Sequence, residues 1–407
     1  ESGEAQMNLL GIAVGIVIIV IILWDAFEAI VLPRRVTRRV RLTTLFYRMT
    51  WTPWHRLARS MKQNKQREKL LGFFGPLSLI FLLSVWAVGL VIAFGLIQWS
   101  ISSGLASAHP FDSLGLSLYF SGSTFFTLGL GDVTPGTAGG RIVTVLESGI
   151  GIGFLALVIG YLPVLYQAFS RREVNISLLD ARAGTPPTAT ELLRRHHEAG
   201  NMQALEQLLG DWEKWAADLM ESHLSYQVLC YFRSQHDNQS WVAALTTILD
   251  ACALVMVGVD GAPTFQAQLT FKMARHAVVD LAQTFNATPL PPKHDRLDER
   301  DLTGLRAFLA DAGLTLRDGA EADENLIALR RMYEPYVNAL AEELLMPLPP
   351  WMQKGKAVDN WQTSAWERNP ATSATTVRKC TMKNKAGEPL HAAKMHSDVS
   401  LQGKRAN

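Results

Sequence analysis

Charge is scarce and cysteine scarcer in this sequence of 407 residues. Charged side chains make up 19% of it, below the level of about a quarter usual in soluble proteins. Over long stretches charge is missing altogether. No Asp, Glu, Lys or Arg falls between Lys69 and Asp112, Glu147 alone falls between Arg141 and Arg171, and only Asp25 and Glu28 fall between Asn8 and Leu32. The three cysteines, Cys230, Cys252 and Cys380, are too few and too scattered for a disulfide framework or a Cys-rich metal site. Cys230 and Cys252 read as buried thiols in a reducing compartment. Motifs are missing as well. No Gly-x-Gly-x-x-Gly follows a strand, so no dinucleotide-binding module is visible. No alternating strands suggest a cyclic-nucleotide module, and Asp318–Glu324 is acidic without EF-hand spacing. No nucleophile–base pair or metal-ligand constellation stands out, so an enzyme is not expected. No cofactor or nucleic-acid partner is expected either.

What fills the uncharged stretches is apolar. A membrane span needs about 20 apolar residues at about 1.5 Å each. Spans are read at roughly 9–32, 71–98 and 142–169. Three such runs in the first 170 residues are not credible as soluble cores, and backbone in lipid must satisfy itself, so these are helices. The first run does not read as a signal peptide. Glu1 and Glu4 stand where a basic region would be, the apolar run is too long, and no small-residue cleavage site follows. Met7 is a candidate start, which would make residues 1–6 an extension. Between the first two spans lie nine Arg (34, 35, 38, 39, 41, 48, 56, 59, 67) and three Lys (62, 65, 69), against Glu68 alone. Short loops this basic stay in the cytoplasm. The N-terminus is therefore expected outside, segment 99–141 outside, and everything after Arg171-Arg172 inside. A second reading of the basic segment is an anionic-lipid site.

The outer segment carries the chemistry. Residues 112–126 are apolar and aromatic but too few to cross a bilayer, and Pro110 and glycines bound them. That suits a re-entrant helix buried in protein. Asp112 is placed to cap its start, and its partially negative C-terminal end would favour a cation. Directly after it comes Thr127-Leu128-Gly129-Leu130-Gly131-Asp132, followed by Pro135. Alternating glycines accept backbone angles that let successive carbonyls point to one side. Four such loops around an axis would stack rings of oxygens able to replace the hydration shell of K⁺.

Thr-Leu-Gly-Leu-Gly-Asp resembles the Thr-Val-Gly-Tyr-Gly-Asp selectivity filter of potassium channels, and the half-helix before it and Pro135 after it fit the same pattern. The resemblance covers roughly residues 71–169. It implies a two-helix pore of prokaryotic type, with an extra N-terminal span. Thr127, Leu128, Gly129 and Leu130 would coordinate K⁺ as the permeant ion, and Gly131 and Asp132 would shape the outer mouth. Leu130 stands where the family usually has Tyr, whose hydroxyl braces the filter, and Phe126 where it usually has Thr. Some two-pore-domain potassium channels also carry Gly-Leu-Gly-Asp in one filter. The resemblance makes Gly151, 19 residues after Asp132, the candidate gating hinge. The competing reading is close helix packing, which glycines in membrane helices serve. Pro163 is expected to kink the same helix.

Acids inside spans are functional hypotheses by default. Glu147 either faces the pore and concentrates cations, or hydrogen-bonds behind the filter or pairs with Arg141. Asp25 and Glu28 share a face of the first span. They either pair with Arg34 or Arg35, or sense protons or gate.

Residues 186–347 read as helices. Thr188 and Glu191 form a capping box, and Gly200-Asn201 closes that helix. Apolar periodicity recurs in 202–222, 240–257, 264–285, 300–312 and 323–346, with breaks at Gly210-Asp211, Gly261–Pro263, Pro289–Pro292 and Gly319. His196, His197, His223 and His236 lack metal-ligand spacing and read as packed or solvated, and Trp212, Trp215 and Trp241 as core. After Pro347 the composition turns polar and aperiodic, as in a disordered tail.

The expected fold class is thus an all-α membrane protein, a tetrameric channel-like pore domain plus an all-helical cytoplasmic domain. The expected divisions are a first span (1–32), a basic cytoplasmic loop (33–70), a pore domain (71–170), a helical domain (180–347) and a tail (348–407). The leading expectation is a homotetrameric potassium channel in the cell membrane, contacting lipid. A weakly selective cation channel and a membrane-anchored helical sensor or scaffold are the alternatives. The cytoplasmic domain's ligand or partner is not legible.

Overall fold

Each long apolar run forms a helix, and the helices extend beyond the runs. The computed structural model describes residues 2–32, 42–63, 65–101, 106–107, 114–235, 239–292 and 294–353. Helix α1 (Ser2–Ala26) ends in one π-helical turn, Phe27–Val31. Helix α2 (Leu42–Ser60) lies in the basic segment, and α3 (Lys65–Ser100) follows it. The half-helix α4 (Leu114–Phe125) leads to the glycine loop, and α5 runs from Ala138 to Ala183. Two short strands, β1 (Ala106–Ser107) and β2 (Val133–Thr134), pair antiparallel on either side of α4 and the loop. The expected cap Asp112 and the basic residues 34–41 lie outside the described residues.

Helix α2 is the first departure from the expected loop. Counting basic residues reads topology and overlooks that Phe46, Tyr47, Trp51 and Ala58 fall on one buried face while Arg48, Arg56 and Arg59 stay exposed. The Trp51 ring packs edge-on against Phe74 of α3 at 4.7 Å between centroids. Helix α1 lies along α3 through small residues. A Cβ on Gly15 would come within 2.8 Å of the Ala93 carbonyl, the close approach that lets two membrane helices pack without a hydrophobic drive.

Helix α5 is the second departure. Its 46 residues give a rod of roughly 70 Å, more than twice the hydrocarbon thickness of about 30 Å. It runs through Pro163 and past Arg171-Arg172, where the span was expected to end. Arg172 does not stop the helix, because its guanidinium is buried and fully occupied. It donates to the carbonyls of Leu229 and Phe232 at 2.9 Å each, meets His223 Nε2 at 3.1 Å, and pairs with Glu173 at 2.8 Å.

Beyond it are α6 (Ala189–Glu198), α7 (Met202–Ser225), α8 (Trp241–Gly258), α9 (Thr264–Thr284), α10 (Glu299–Asp311), α11 (Ala320–Arg331) and α12 (Glu334–Leu344). Thr188 caps α6 by accepting from Glu191 N, but the Glu191 side chain turns to Arg194 and Arg195 instead of closing the box. Gly200, at φ 63°, ends α6 with the paired bonds Gly200 N to His197 O and Asn201 N to His196 O. No break occurs at Gly210. Leu208, Leu209, Trp212 and Trp215 around it are buried, and that packing outweighs the roughly 1 kcal/mol a helical glycine costs. The stretch 323–346 is two helices instead of one, divided before Pro335 in the first turn of α12.

Among the described residues four helices, α1, α3, α5 and α8, are long and apolar enough to cross a membrane. Their surroundings differ. The most apolar windows of α1 and α5 are 11% buried within the chain, and that of α8 is 89% buried. Helix α8 is thus the core of the C-terminal bundle. Residues Leu348–Gln353, expected in the tail, also pack. Trp351 is buried with Arg296 and Arg330 over its ring, and its carbonyl accepts from Thr190 Oγ1 at 3.0 Å. Residues 354–407 lie outside the described residues.

Candidate ion pathway

Helix α4 ends in a Schellman motif. Leu128 N donates to Ser123 O at 2.8 Å and Thr127 N to Thr124 O at 3.0 Å, with Thr127 left-handed at φ 57°. Glycine usually takes that place, and a β-branched residue there costs about 1–2 kcal/mol. The loop then alternates. Thr127, Gly129 and Gly131 have φ of 57°, 58° and 77°, while Leu128 and Leu130 between them are not left-handed. Alternation of this kind turns successive carbonyls toward one side. A Cβ on Gly129 or Gly131 would meet nothing within 4 Å, so backbone angle and not space demands glycine there.

All of residues 126–132 are exposed in the single chain, including the side chains of Phe126, Leu128 and Leu130. At the far end of the loop Asp132 Oδ2 accepts from the Tyr119 hydroxyl of α4 at 2.7 Å. Leu130 supplies no hydroxyl, but α4 reaches the loop from its own side. Tyr119 was missed in the sequence, since nothing local ties it to a residue 13 positions later.

Helix α5 closes against the end of α4. A Cβ on Gly151 would lie 2.2 Å from the Phe125 carbonyl oxygen, so the hinge candidate sits where α5 and the α4 backbone touch. Glu147, four residues before it, is fully buried and faces α4. Its Oε1 is bonded to Ser121 Oγ, and that hydroxyl also lies 2.7 Å from the Val91 carbonyl of α3. Arg141 instead donates to the Pro135 carbonyl at 3.3 Å. Buried serines in an apolar half-helix were the available signal, because buried hydroxyls need partners.

Asp25 is a junction. Both of its oxygens accept from Thr43 N at 3.1 Å, and Oδ2 also accepts from Thr43 Oγ1 at 2.6 Å and Trp86 Nε1 at 3.1 Å. The Thr43 amide belongs to the first turn of α2, where N–H groups lack intrahelical partners, so Asp25 caps α2 from another helix. Glu28 Oε1 accepts from Trp24 Nε1 at 2.7 Å. The expected partners Arg34 and Arg35 lie outside the described residues.

The C-terminal domain grips this assembly at α12. The Glu342 carbonyl lies 3.3 Å from His55 Nε2, and the Glu343 carbonyl accepts from Trp51 Nε1 at 3.1 Å. Arg233 donates to the carbonyls of Leu344 and Leu345. A cation and two ring nitrogens thus cover the negative end of the helix. His223, buried beside Arg172, is pushed well below the usual histidine range by burial first and by the Arg172 charge second. His196 Nδ1 lies 2.8 Å from the Leu192 carbonyl. Among the described residues no group of three His, Cys, Asp or Glu could hold a metal ion, and His236 lies outside them.

Comparison with known proteins bears on the same stretch. A family model described as an ion channel matches residues 80–167, from mid-α3 through α4 and the loop into α5. The uncharacterized membrane protein YdjJ of Bacillus subtilis (strain 168) is 23% identical over 241 residues, 58% of this chain and 69% of that protein. No solved structure matches. With its helical build, its apolar helices and this ion-channel region, the chain is an all-α membrane protein.

Proposed function

We propose that the chain assembles as a homotetrameric potassium channel that conducts K⁺ passively. The observation that carries this reading is the alternating backbone of Thr127–Gly131 at the C-terminal end of a short helix, exposed in one chain. In the tetramer four copies line an axis. The carbonyls of Thr127, Leu128, Gly129 and Leu130 replace the hydration of K⁺, and Gly131 and Asp132 form the outer mouth. The apolar surface of α5, open in one chain, is covered by its copies. The filter is then external, the N-terminus outside, and the C-terminal helical domain cytoplasmic, as the basic segment before α3 supports.

Reconstituted liposomes test this through K⁺ and Na⁺ flux. Wild-type protein should pass K⁺ over Na⁺, crosslinking should stop at four subunits, and Gly129→Ala should abolish flux with assembly intact. Undiminished K⁺ flux through Gly129→Ala would show that the loop is not the ion path. A weakly selective cation pore is the second reading, favoured by the missing hydroxyl at Leu130. Leu130→Tyr should then raise the K⁺/Na⁺ permeability ratio, and an unchanged ratio removes that reading.

A further inference from the structure

A cavity of about 670 Å³ opens where the end of α2 and the start of α3 meet the C-terminal domain. Arg59 and Arg67 approach it from the membrane side, and His294 and Arg296 from the segment between α9 and α10. Leu290, Leu345, Met346 and Pro347 supply an apolar wall. Its size is that of a small-ligand site.

The balance of groups is one-sided. Among the described residues four basic side chains line the cavity against one acid, Glu342, which stands 4.0 Å from Arg59. Arg296 is held in place by Asp250 and Glu334 at 2.8 and 3.1 Å. Yet its Nε, and the Nδ2 of Asn338 on the same wall, are buried without an acceptor. Both side chains stand on the cavity wall with donor capacity that the protein itself does not use. Arg67 lies one helical turn before the apolar run of α3 that begins at Leu70. The cavity therefore sits at the depth of lipid headgroups on that reading of the span.

We propose that this cavity binds a phosphate group carried on a partly apolar molecule. The arginines and His294 take the phosphate oxygens, and the Leu290–Leu345–Met346 wall takes the apolar part. Two sources share that chemistry, an anionic phospholipid and a soluble phosphate ester. A ligand here would bridge α2 and α3 to α12, whose last carbonyls are already held by Trp51, His55 and Arg233. The site does not depend on the pore reading, and its test reads binding and not flux.

The test uses full-length protein, equilibrium binding of radiolabelled inorganic phosphate in detergent, and lipid retention in nanodiscs of phosphatidylglycerol against phosphatidylcholine. Binding of either probe is expected, and removing two basic contacts with Arg59→Gln plus His294→Gln should weaken it about ten-fold or more, at about 1.4 kcal/mol per ten-fold. Both residues are exposed, so the fold should survive, and Arg331→Gln, exposed and outside the cavity, should change nothing. Saturation by phosphate alone identifies a soluble ligand, and retention of phosphatidylglycerol alone identifies a lipid. Absence of both signals, or equal binding by the double variant, overturns the proposal.

Discussion

The two halves of this molecule treat apolar surface in opposite ways. In the C-terminal bundle α8 is enclosed on nearly every side by α6, α7, α9, α11 and α12, and Ile248, Leu249, Cys252 and Leu254 are fully buried. In the pore region the most apolar window of α5 is as hydrophobic as α8, yet Ile142, Val145, Ile152, Leu155 and Ile159 stand more than half exposed. One core is complete within one chain. The other is left for lipid and, on the proposed reading, for copies of itself. Helices of like composition can thus mean a finished interior or an unfinished interface, and what surrounds them decides.

The polar contacts follow the same division, and four experiments can break or sharpen it. The largest effect is expected at Asp25. Asp25→Ala leaves Thr43 N, Thr43 Oγ1 and Trp86 Nε1 without their acceptor, at about 3 kcal/mol, so the detergent melting temperature should fall sharply. Asp25→Asn keeps an acceptor and should lose much less. If Asp25 is instead a proton sensor, Asn will leave melting intact and change the response of flux to pH.

Gly151→Ala comes next. The added methyl meets backbone and not a movable side chain, and overpacking of this kind costs about 1–3 kcal/mol. The melting temperature should drop, together with flux on the proposed channel reading. An unchanged melting temperature with altered open probability would favour the hinge over the packing contact.

Tyr119→Phe removes the one bond from α4 to Asp132, at an exposed site where water competes for both partners. The expected result is a several-fold lower K⁺/Na⁺ ratio in liposome flux, with assembly unchanged. A ratio equal to wild type would show that the loop does not depend on the Tyr119 bond.

The smallest effect belongs to the closed half. His223 is held neutral by burial and Arg172, with its folded pKa well below the unfolded value. Unfolded chain therefore binds the extra proton as pH falls below about 6.5. The stability from His223 is complete above that value and is lost on acidification, by under about 1 kcal/mol between pH 7 and pH 6. Melting followed across that range should show the loss, and His223→Gln should flatten it.

Much of the fold was legible because its signals are local. Apolar runs longer than a bilayer is thick, Gly200-Asn201 at a helix end, and the Gly-x-Gly step after a short apolar helix each act within a few residues. The errors have local causes as well. The basic residues of 42–60 masked an amphipathic period, and Arg171-Arg172 looked like the edge of a membrane because the sequence does not show that Arg172 has carbonyls to bind. The partners of the candidate residues were less legible. Asp25 was read toward neighbouring arginines, whereas its described partners are Thr43 and Trp86. Glu147 had three readings, and its described bond is to Ser121 of α4.

By itself, then, the sequence determined the helical class, the order of spans, half-helix and loop, and the loop's need for left-handed angles at Gly129 and Gly131. These follow from hydrophobic length and backbone sterics, which act along the chain. Only the tertiary structure decided what each buried polar group touches. Asp25 meets Trp86 across 61 residues and Ser121 meets Glu147 across 26, and at such separations helix packing sets the pairing. The same packing made α8 a core and left α5 open, because burial is a property of what surrounds a helix and not of the helix itself.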